Sequence, residues 1–348
     1  MKRFAAWMLA LGTVLSLTAC GTATAERQVF AMDTVMVLSA EGNNAEAAVG
    51  QAEETILRLE ERLSRTRADS DVSRVNENGT VPTADISPET GELLRAAGEY
   101  GQATGGAFDI TVAPMMDAWG FTGDSYRVPS QAELDALLAR VDCGQVVLED
   151  AAISLGEGQA IDLGGIAKGY TSDLVEQVFW NNGLERGKIS LGGNVFVLGG
   201  KADGSPWRVG IRDPRNESAL AVILPLRDAY AITSGGYERY FEEGGTTYHH
   251  IIDPATGYPA DSGLLSVTVV AEANGPDAAG AGNGTMCDAF STALFVMGEE
   301  RALEFWRTSG YEFELVLVTA DGRVVVTAGL ADSFEEVEDS GYVYETVS

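Results

Sequence analysis

The chain has 348 residues, with 52 acidic side chains, 23 basic ones, two histidines and a formal net charge of −29. That charge excludes nucleic acid as a partner, because a polyanion requires a basic surface to displace its counterions, and it excludes a polybasic grip on anionic lipid. Hydrophobic residues form 45% of the chain, too many for an acidic disordered segment, and two histidines with three cysteines leave too few ligands for an all-His/Cys zinc site, so a metal here would be a hard ion held by oxygens.

Lys2 and Arg3 precede an apolar run over 4–17, too short for a comfortable membrane span and of the length of a signal-peptide core. It ends in Leu17-Thr18-Ala19-Cys20-Gly21, small residues before a cysteine as in a bacterial lipobox. The expectation is a lipoprotein signal peptide over 1–19, Cys20 as lipid anchor, a tether over 20–27, and residence on the extracytoplasmic face of the cell membrane (the periplasmic side if there is an outer membrane). An ordinary secretory signal with an incidental cysteine is the alternative. Cys143 and Cys287 either pair, which such a compartment permits, or are two free buried thiols.

Residues 29–39 read as a strand. Residues 45–63 read as a helix with Ile56, Leu59 and Leu63 on one face. The polar stretch 64–80 reads as a loop. Ser87-Pro88 opens a second helix, with proline at its favoured first position, and Gly105-Gly106 closes it. Ser130 through Glu133 has capping-box spacing and opens a third. Residues 146–155 read as strand and 165–180 as helix. Strands follow at 187–198, 206–211, 219–234, 246–252 and 264–271. Residues 286–297 and 299–308 read as helices, 312–327 as a closing hairpin, and 331–348 as an acidic C-terminal tail. Helices and strands mix without a regular βαβ rhythm, which favours an α+β fold, a single large mixed domain over 28–330.

Four segments carry possible chemistry. In Asp162-Leu163-Gly164-Gly165-Ile166-Ala167-Lys168, paired glycines before a helix let backbone N–H groups approach a phosphate, and Lys168 in the first turn opposes the positive helix end unless an anion compensates it. Many plain loop–helix joints look similar. In Tyr248-His249-His250-Ile251-Ile252-Asp253-Pro254, both histidines sit on a strand whose neighbours face opposite ways, so one faces a site as a possible general base. A hydrogen-bonded structural histidine is the other reading. Asp288 and Thr292 lie four apart on one helix face, where a carboxylate and a hydroxyl can hold a hard cation such as Mg²⁺, or Asp288 simply caps the helix. In Thr233-Ser234-Gly235-Gly236-Tyr237 followed by Arg239, hydroxyls, flexible backbone and an arginine suit a phosphate or ribose contact, or the segment is a plain turn between strands.

Taken in order, these segments resemble the ApbE family of FAD:protein FMN transferases. The resemblance runs through Met32-Asp33-Thr34, Ser73-Arg74-Val75-Asn76, Ala107-Phe108-Asp109, Asp162 through Tyr170, Gly192-Gly193-Asn194, Thr233-Ser234-Gly235, His250 through Gly257 and Asp288 through Thr292. It implies an enzyme that moves the FMN half of FAD to a threonine or serine hydroxyl of an exported target flavoprotein, with Mg²⁺ required and AMP released. It implies FAD contacts at Met32, Ala107, Phe108, Asp109, Asp162, Lys168, Thr233 and Ile252. It implies Mg²⁺ ligation by the Gly165 carbonyl, Asp288 and Thr292, and His250 as base. Asp253 is expected to orient His250. The family's frequent glycine after the methionine is Asp33 here, and Thr66 stands where several members place a tyrosine near the flavin. Residues 279–284 read as a flexible surface insertion. An FAD pyrophosphatase or a lipid-anchored FAD-binding protein would use the same residues.

Overall fold

In a computed structural model, which describes residues 23–123 and 125–348, the chain opens with a hairpin where one strand is expected. The expected signal peptide and Cys20 lie outside the described residues. Strands β1 (Thr24–Ala31) and β2 (Thr34–Glu41) are joined by Met32 and Asp33 at φ +50° and +59°. A two-residue hairpin turn of this type needs positive φ at both central positions. Neither residue is the glycine or asparagine that usually announces it.

Helix α1 (Ala45–Leu63) follows the apolar spacing. The stretch read as a loop contains α2 (Asp71–Asn78), whose Ser70 cap accepts the Ser73 N–H at 2.9 Å. Strand β3 (Thr80–Pro82) leads to α3 (Pro88–Ala103) and α4 (Ala113–Trp119), then α5 (Gln131–Leu138), with Ser87 and Ser130 capping α3 and α5 as their sequences require. Short strands β4 (Val147–Leu148) and β5 (Ala152–Ser154) precede α6 (Ala167–Asn181). Six strands come next: β6 (Arg186–Leu191), β7 (Asn194–Leu198), β8 (Trp207–Asp213), β9 (Asn216–Leu226), β10 (Ala229–Gly235) and β11 (Tyr240–Glu243). The chain closes with β12 (Thr246–His249), β13 (Leu264–Glu272), α7 (Asn283–Met297), α8 (Glu299–Thr308), β14 (Glu314–Thr319), β15 (Arg323–Thr327), β16 (Glu335–Glu336) and β17 (Val343–Val347).

The architecture is α+β, built on a nine-stranded sheet ordered β1-β2-β6-β7-β10-β13-β14-β15-β17, antiparallel except for β15 with β17. Alternate residues of its strands serve two cores. Ile189, Phe196, Tyr230, Ile232, Val267 and Val269 face the helices α1, α6, α7 and α8. Val197, Ala229, Ala231 and Val270 face the small sheet β16-β9-β8. A third cluster joins α4 and α5 to the β11–β12 hairpin through Met115, Trp119, Leu134 and Tyr248. Residues 331–348 are no loose tail. β16 pairs with β9, β17 pairs with β15, and buried Tyr342 donates its hydroxyl to Asp213 Oδ1 at 2.6 Å.

Helices α6 and α7 cross closely because both carry glycine at the contact. A Cβ on Gly169 would lie 2.3 Å from the Gly284 carbonyl oxygen, and one on Gly284 would lie 2.6 Å from Asp173 Oδ1. The stretch read as a flexible insertion is pinned here. Fully buried Asp173 accepts the N–H groups of Gly282, Gly284 and Thr285 at 2.8–2.9 Å, and Glu92 accepts the Ala281 N–H at 2.9 Å. Asn274 donates to Asp173 and Glu176, fixing the segment before it. A methyl group at Gly169 has nowhere to go, so Gly169→Ala should cost about 1–3 kcal/mol of stability, the range for overpacking. Urea unfolding measures this, and an unchanged midpoint would show that the crossing has slack.

Candidate active site

The site begins where the first turn of α6 meets the middle of α7. Asp288 is 4% exposed, and its Oδ2 accepts the Gly169 N–H at 2.8 Å. Burial pushes its pKa up, while the Lys168 charge and the N–H of Gly169 oppose that rise. One turn along α7, Thr292 faces the loop before α6: a Cβ on Gly165 would lie 3.4 Å from Thr292 Oγ1 and 3.3 Å from the Phe108 ring. The Ser234 hydroxyl completes the group, 3.2 Å from Thr292 Oγ1 and 2.8 Å from Ser291 Oγ. Among the described residues no cluster of three His, Cys, Asp or Glu side chains suited to a metal occurs. Here the buried Asp288 carboxylate and the Thr292 and Ser234 hydroxyls offer only oxygens, a donor set that fits a hard divalent cation such as Mg²⁺.

Asp162 braces the entry to α6. Its Oδ1 accepts the Gly164 N–H at 2.7 Å, and its Oδ2 takes Arg65 Nη1 at 3.2 Å, while Arg65 Nη2 reaches Asp117 at 2.8 Å. Nearby, Asn194 is buried and its Nδ2 has no hydrogen-bond partner, although the side chain lies close enough to Asp288 to lower its pKa. Asn194 follows the Gly192-Gly193 turn, where Thr34 leaves no space for a side chain: a Cβ on Gly192 would fall 2.3 Å from Thr34 Oγ1.

His250 follows β12. Its N–H donates to the Arg239 carbonyl at 3.0 Å, and its Nδ1 lies 3.2 Å from the same oxygen. A carbonyl only accepts, so Nδ1 carries the proton and Nε2 keeps a free lone pair. Burial, then the Arg239, His249 and Lys168 charges, push its pKa down to about 3, so the ring is neutral near pH 7. Lys168 thus acts electrostatically on both His250 and Asp288. His249 faces the other way, as strand alternation requires. Its Nε2 meets the Ala260 carbonyl at 3.1 Å and its ring stands edge-on to Phe295. Phe241 and Tyr248 hold the hairpin against Trp119, whose Nε1 donates to the Gly257 carbonyl at 2.8 Å.

Three expected roles change. Asp253 does not orient His250. Its carboxylate accepts the Ala255 N–H at 2.9 Å and the Thr256 hydroxyl at 3.1 Å, and the Arg239 carbonyl holds the imidazole instead. Thr233 points to the sheet face opposite α7, where its hydroxyl meets Thr268 at 2.8 Å, and Ser234 is the residue that faces the site. The Asp109 carboxylate is committed to the Thr111 N–H and hydroxyl and to the Cys143 N–H, at 2.6–2.9 Å, so it shapes the loop that carries Ala107 and Phe108. Met32 sits at the β1–β2 turn, its N–H held by Glu60 at 2.8 Å and its sulfur 3.8 Å from Thr171 Oγ1 on α6. The Ile252 side chain is buried with Trp119 and Leu134, leaving only its backbone for a ligand. Cys143 and Cys287 are free thiols. Sequence reasoning singled out the segment that carries Ser234 and Arg239 but chose Thr233 within it, and it gave Arg65 and Asn194 no role in the site. Period-two alternation from Ile232, which faces the helices, marks Ser234 over Thr233; nothing local marks Arg65 or Asn194.

A model of the ApbE family matches residues 32–317. A FAD:protein FMN transferase of Treponema pallidum is 34% identical over 314 residues, covering 84% of this chain and 82% of its own length. The FAD:protein FMN transferase of Klebsiella pneumoniae is 32% identical, covering 85% of this chain and 90% of its own. Among solved structures, the ApbE protein of Thermotoga maritima superposes with a TM-score of 0.78 at 33% identity, over 91% of this chain and 97% of its own. The flavinyl transferase ApbE of Pseudomonas stutzeri does so with a TM-score of 0.75 at 28% identity, over 88% and 94%. The chain belongs to the ApbE family and is an enzyme of the FAD:protein FMN transferase class.

Proposed function

We propose that the enzyme transfers FMN from FAD to a threonine or serine hydroxyl of an exported flavoprotein, in a Mg²⁺-dependent reaction that releases AMP. The observation that carries this is His250 held through Nδ1 by the Arg239 carbonyl, which leaves Nε2 free to take a proton, together with the buried Asp288 at the start of α6. Met32, the Phe108 loop, Asp162, Lys168, Ser234 and the Ile252 backbone surround the FAD. The Gly165 carbonyl, Asp288 and Thr292 would hold the metal, which when bound supplies positive charge against the phosphoryl oxygens.

Nε2 of His250 takes the proton of the acceptor hydroxyl as that oxygen bonds to the phosphorus of the FMN half. The bond from that phosphorus to the oxygen of the AMP half breaks, and AMP leaves with that oxygen. Lys168 offsets the charge that develops on the phosphates, and the Arg239 carbonyl keeps the imidazole aimed throughout. The expected lipid anchor at Cys20 would hold the enzyme on the extracytoplasmic face, where exported acceptors pass.

Intact mass of an exported acceptor domain, incubated with the enzyme, FAD and Mg²⁺, tests the reading. A gain of one FMN with AMP released supports it; free FMN without that gain indicates hydrolysis instead. His250→Ala should lose about 10²- to 10⁴-fold in rate, the usual worth of a general base, while still binding FAD in a fluorescence titration. Wild-type turnover in that variant removes His250 from the reaction. Asp288→Asn should shift the Mg²⁺ titration to higher concentration, and an unchanged curve contradicts the ligand set. An ordinary histidine loses its base form below about pH 6.5. With its pKa pushed down, His250 stays unprotonated there, so kcat/KM should remain level through that region. A fall centred near pH 6.5 would show an unperturbed base.

A further inference from the structure

The outer face of the β1–β2 hairpin is apolar at its tip and, among the described residues, uncovered. Phe30 and Val35 are cross-strand partners, 72% and 58% exposed, and half-buried Val37 lies beside them. The core formed with the small sheet β16-β9-β8 begins at β7 on this face and includes no residue of β1 or β2. Adjacent exposed aromatic and β-branched side chains are unusual on a plain surface and mark interaction sites.

The tip belongs to the end of the sheet that carries the site. Met32 in its turn touches Thr171 of α6, Thr34 packs on the Gly192 turn next to Asn194, and Asp33 Oδ2 lies 3.6 Å from Arg239 Nη2. Arg239 is the residue whose carbonyl holds His250. Arg239 thus touches both His250 and the turn whose flanking residues are Phe30 and Val35, which puts the tip one side chain away from the site.

The geometry points to Phe30 and Val35, with the Asp33–Arg239 pair beside them, as the docking surface for the folded acceptor protein. This rests on the transferase reading. The acceptor would meet it with an apolar patch, since an aromatic residue beside a charged pair is a common arrangement of interface anchors. A membrane is the weaker occupant. Phe30 stands six residues along β1 from Thr24, about 20 Å at strand rise, so the tip lies far from the end where the chain leads back toward Cys20.

The test uses the Phe30→Ser/Val35→Thr double variant and the acceptor domain that gains FMN mass with the wild-type enzyme. The KM for that folded domain should rise about tenfold or more, with kcat at saturation, FAD affinity and thermal unfolding unchanged. A short unfolded peptide carrying the same threonine should be modified at the wild-type rate. Val343→Ser, an exposed apolar position on the far edge strand β17, should leave the KM alone. An unchanged KM in the double variant overturns the surface while the transferase stands. Loss of binding to phosphatidylglycerol vesicles, or loss of a dimer in sedimentation, at unchanged KM assigns the patch to membrane or to a second copy and equally overturns it. If the wild-type enzyme modifies no acceptor and only hydrolyses FAD, the transferase reading fails and the docking surface fails with it.

Discussion

Helices α6 and α7 cap one another, and the site depends on that exchange. Asp173, within α6, accepts the N–H groups that open α7, at Gly284 and Thr285. Asp288, within α7, accepts the Gly169 N–H in the first turn of α6. Each helix start thus gains a negative partner at its positive end, which satisfies donors that would otherwise be orphaned in a buried crossing. The exchange works only because Gly169 and Gly284 let the backbones approach. Asp288 is consequently held by a contact made by the protein itself, the Gly169 N–H.

The second support comes from strand ends. The β1–β2 turn, the Gly192-Gly193 turn and the end of β10 meet at one end of the large sheet, bringing Met32, Asn194 and Ser234 to the start of α6. The β11–β12 hairpin is not part of that sheet. It is set by its own aromatic contacts with Trp119 and by the hydrogen bond from Arg239 Nη1 to the Phe121 carbonyl at 3.0 Å. His250 therefore rides on a separate small unit, and Arg239 links that unit to the turn at Asp33.

Much of this was legible in the sequence where the determinants are local. The helices α1 and α8 follow from apolar spacing, and α3 and α5 from their serine caps. The residues His250, Lys168, Asp288 and Thr292 stood out by rarity and spacing. The failures share a non-local cause. The β1–β2 turn forces Met32 and Asp33 to positive φ because Glu60 and Arg239 hold them there, which no local preference signals. The acidic end of the chain hides β17, whose parallel pairing with β15 becomes available only once the sheet exists. The segment 279–284 reads as flexible from its small residues, yet it supplies the N–H groups that Asp173 and Glu92 accept. Asp253 is close to His250 in sequence, but the Asp-Pro turn consumes its carboxylate.

The charge balance of the site explains how so acidic a protein can hold an anionic dinucleotide. Arg65 is neutralised by Asp162 and Asp117, and Arg239 faces Asp33. Among the described residues, Lys168 is the cation that acts on both Asp288 and His250. A lysine and one carboxylate sum to about zero, which gives a pyrophosphate no net attraction beyond the backbone N–H groups. The divalent ion proposed on Asp288 would change that sum to about +2, matching two phosphate charges, and would offset the burial that otherwise raises the carboxylate's pKa. In the proposed reaction, the neutral ring of His250 adds nothing to the balance until it accepts the acceptor's proton. The positive charge then appears beside the phosphates, when the attacking oxygen has become more negative and the leaving group needs support.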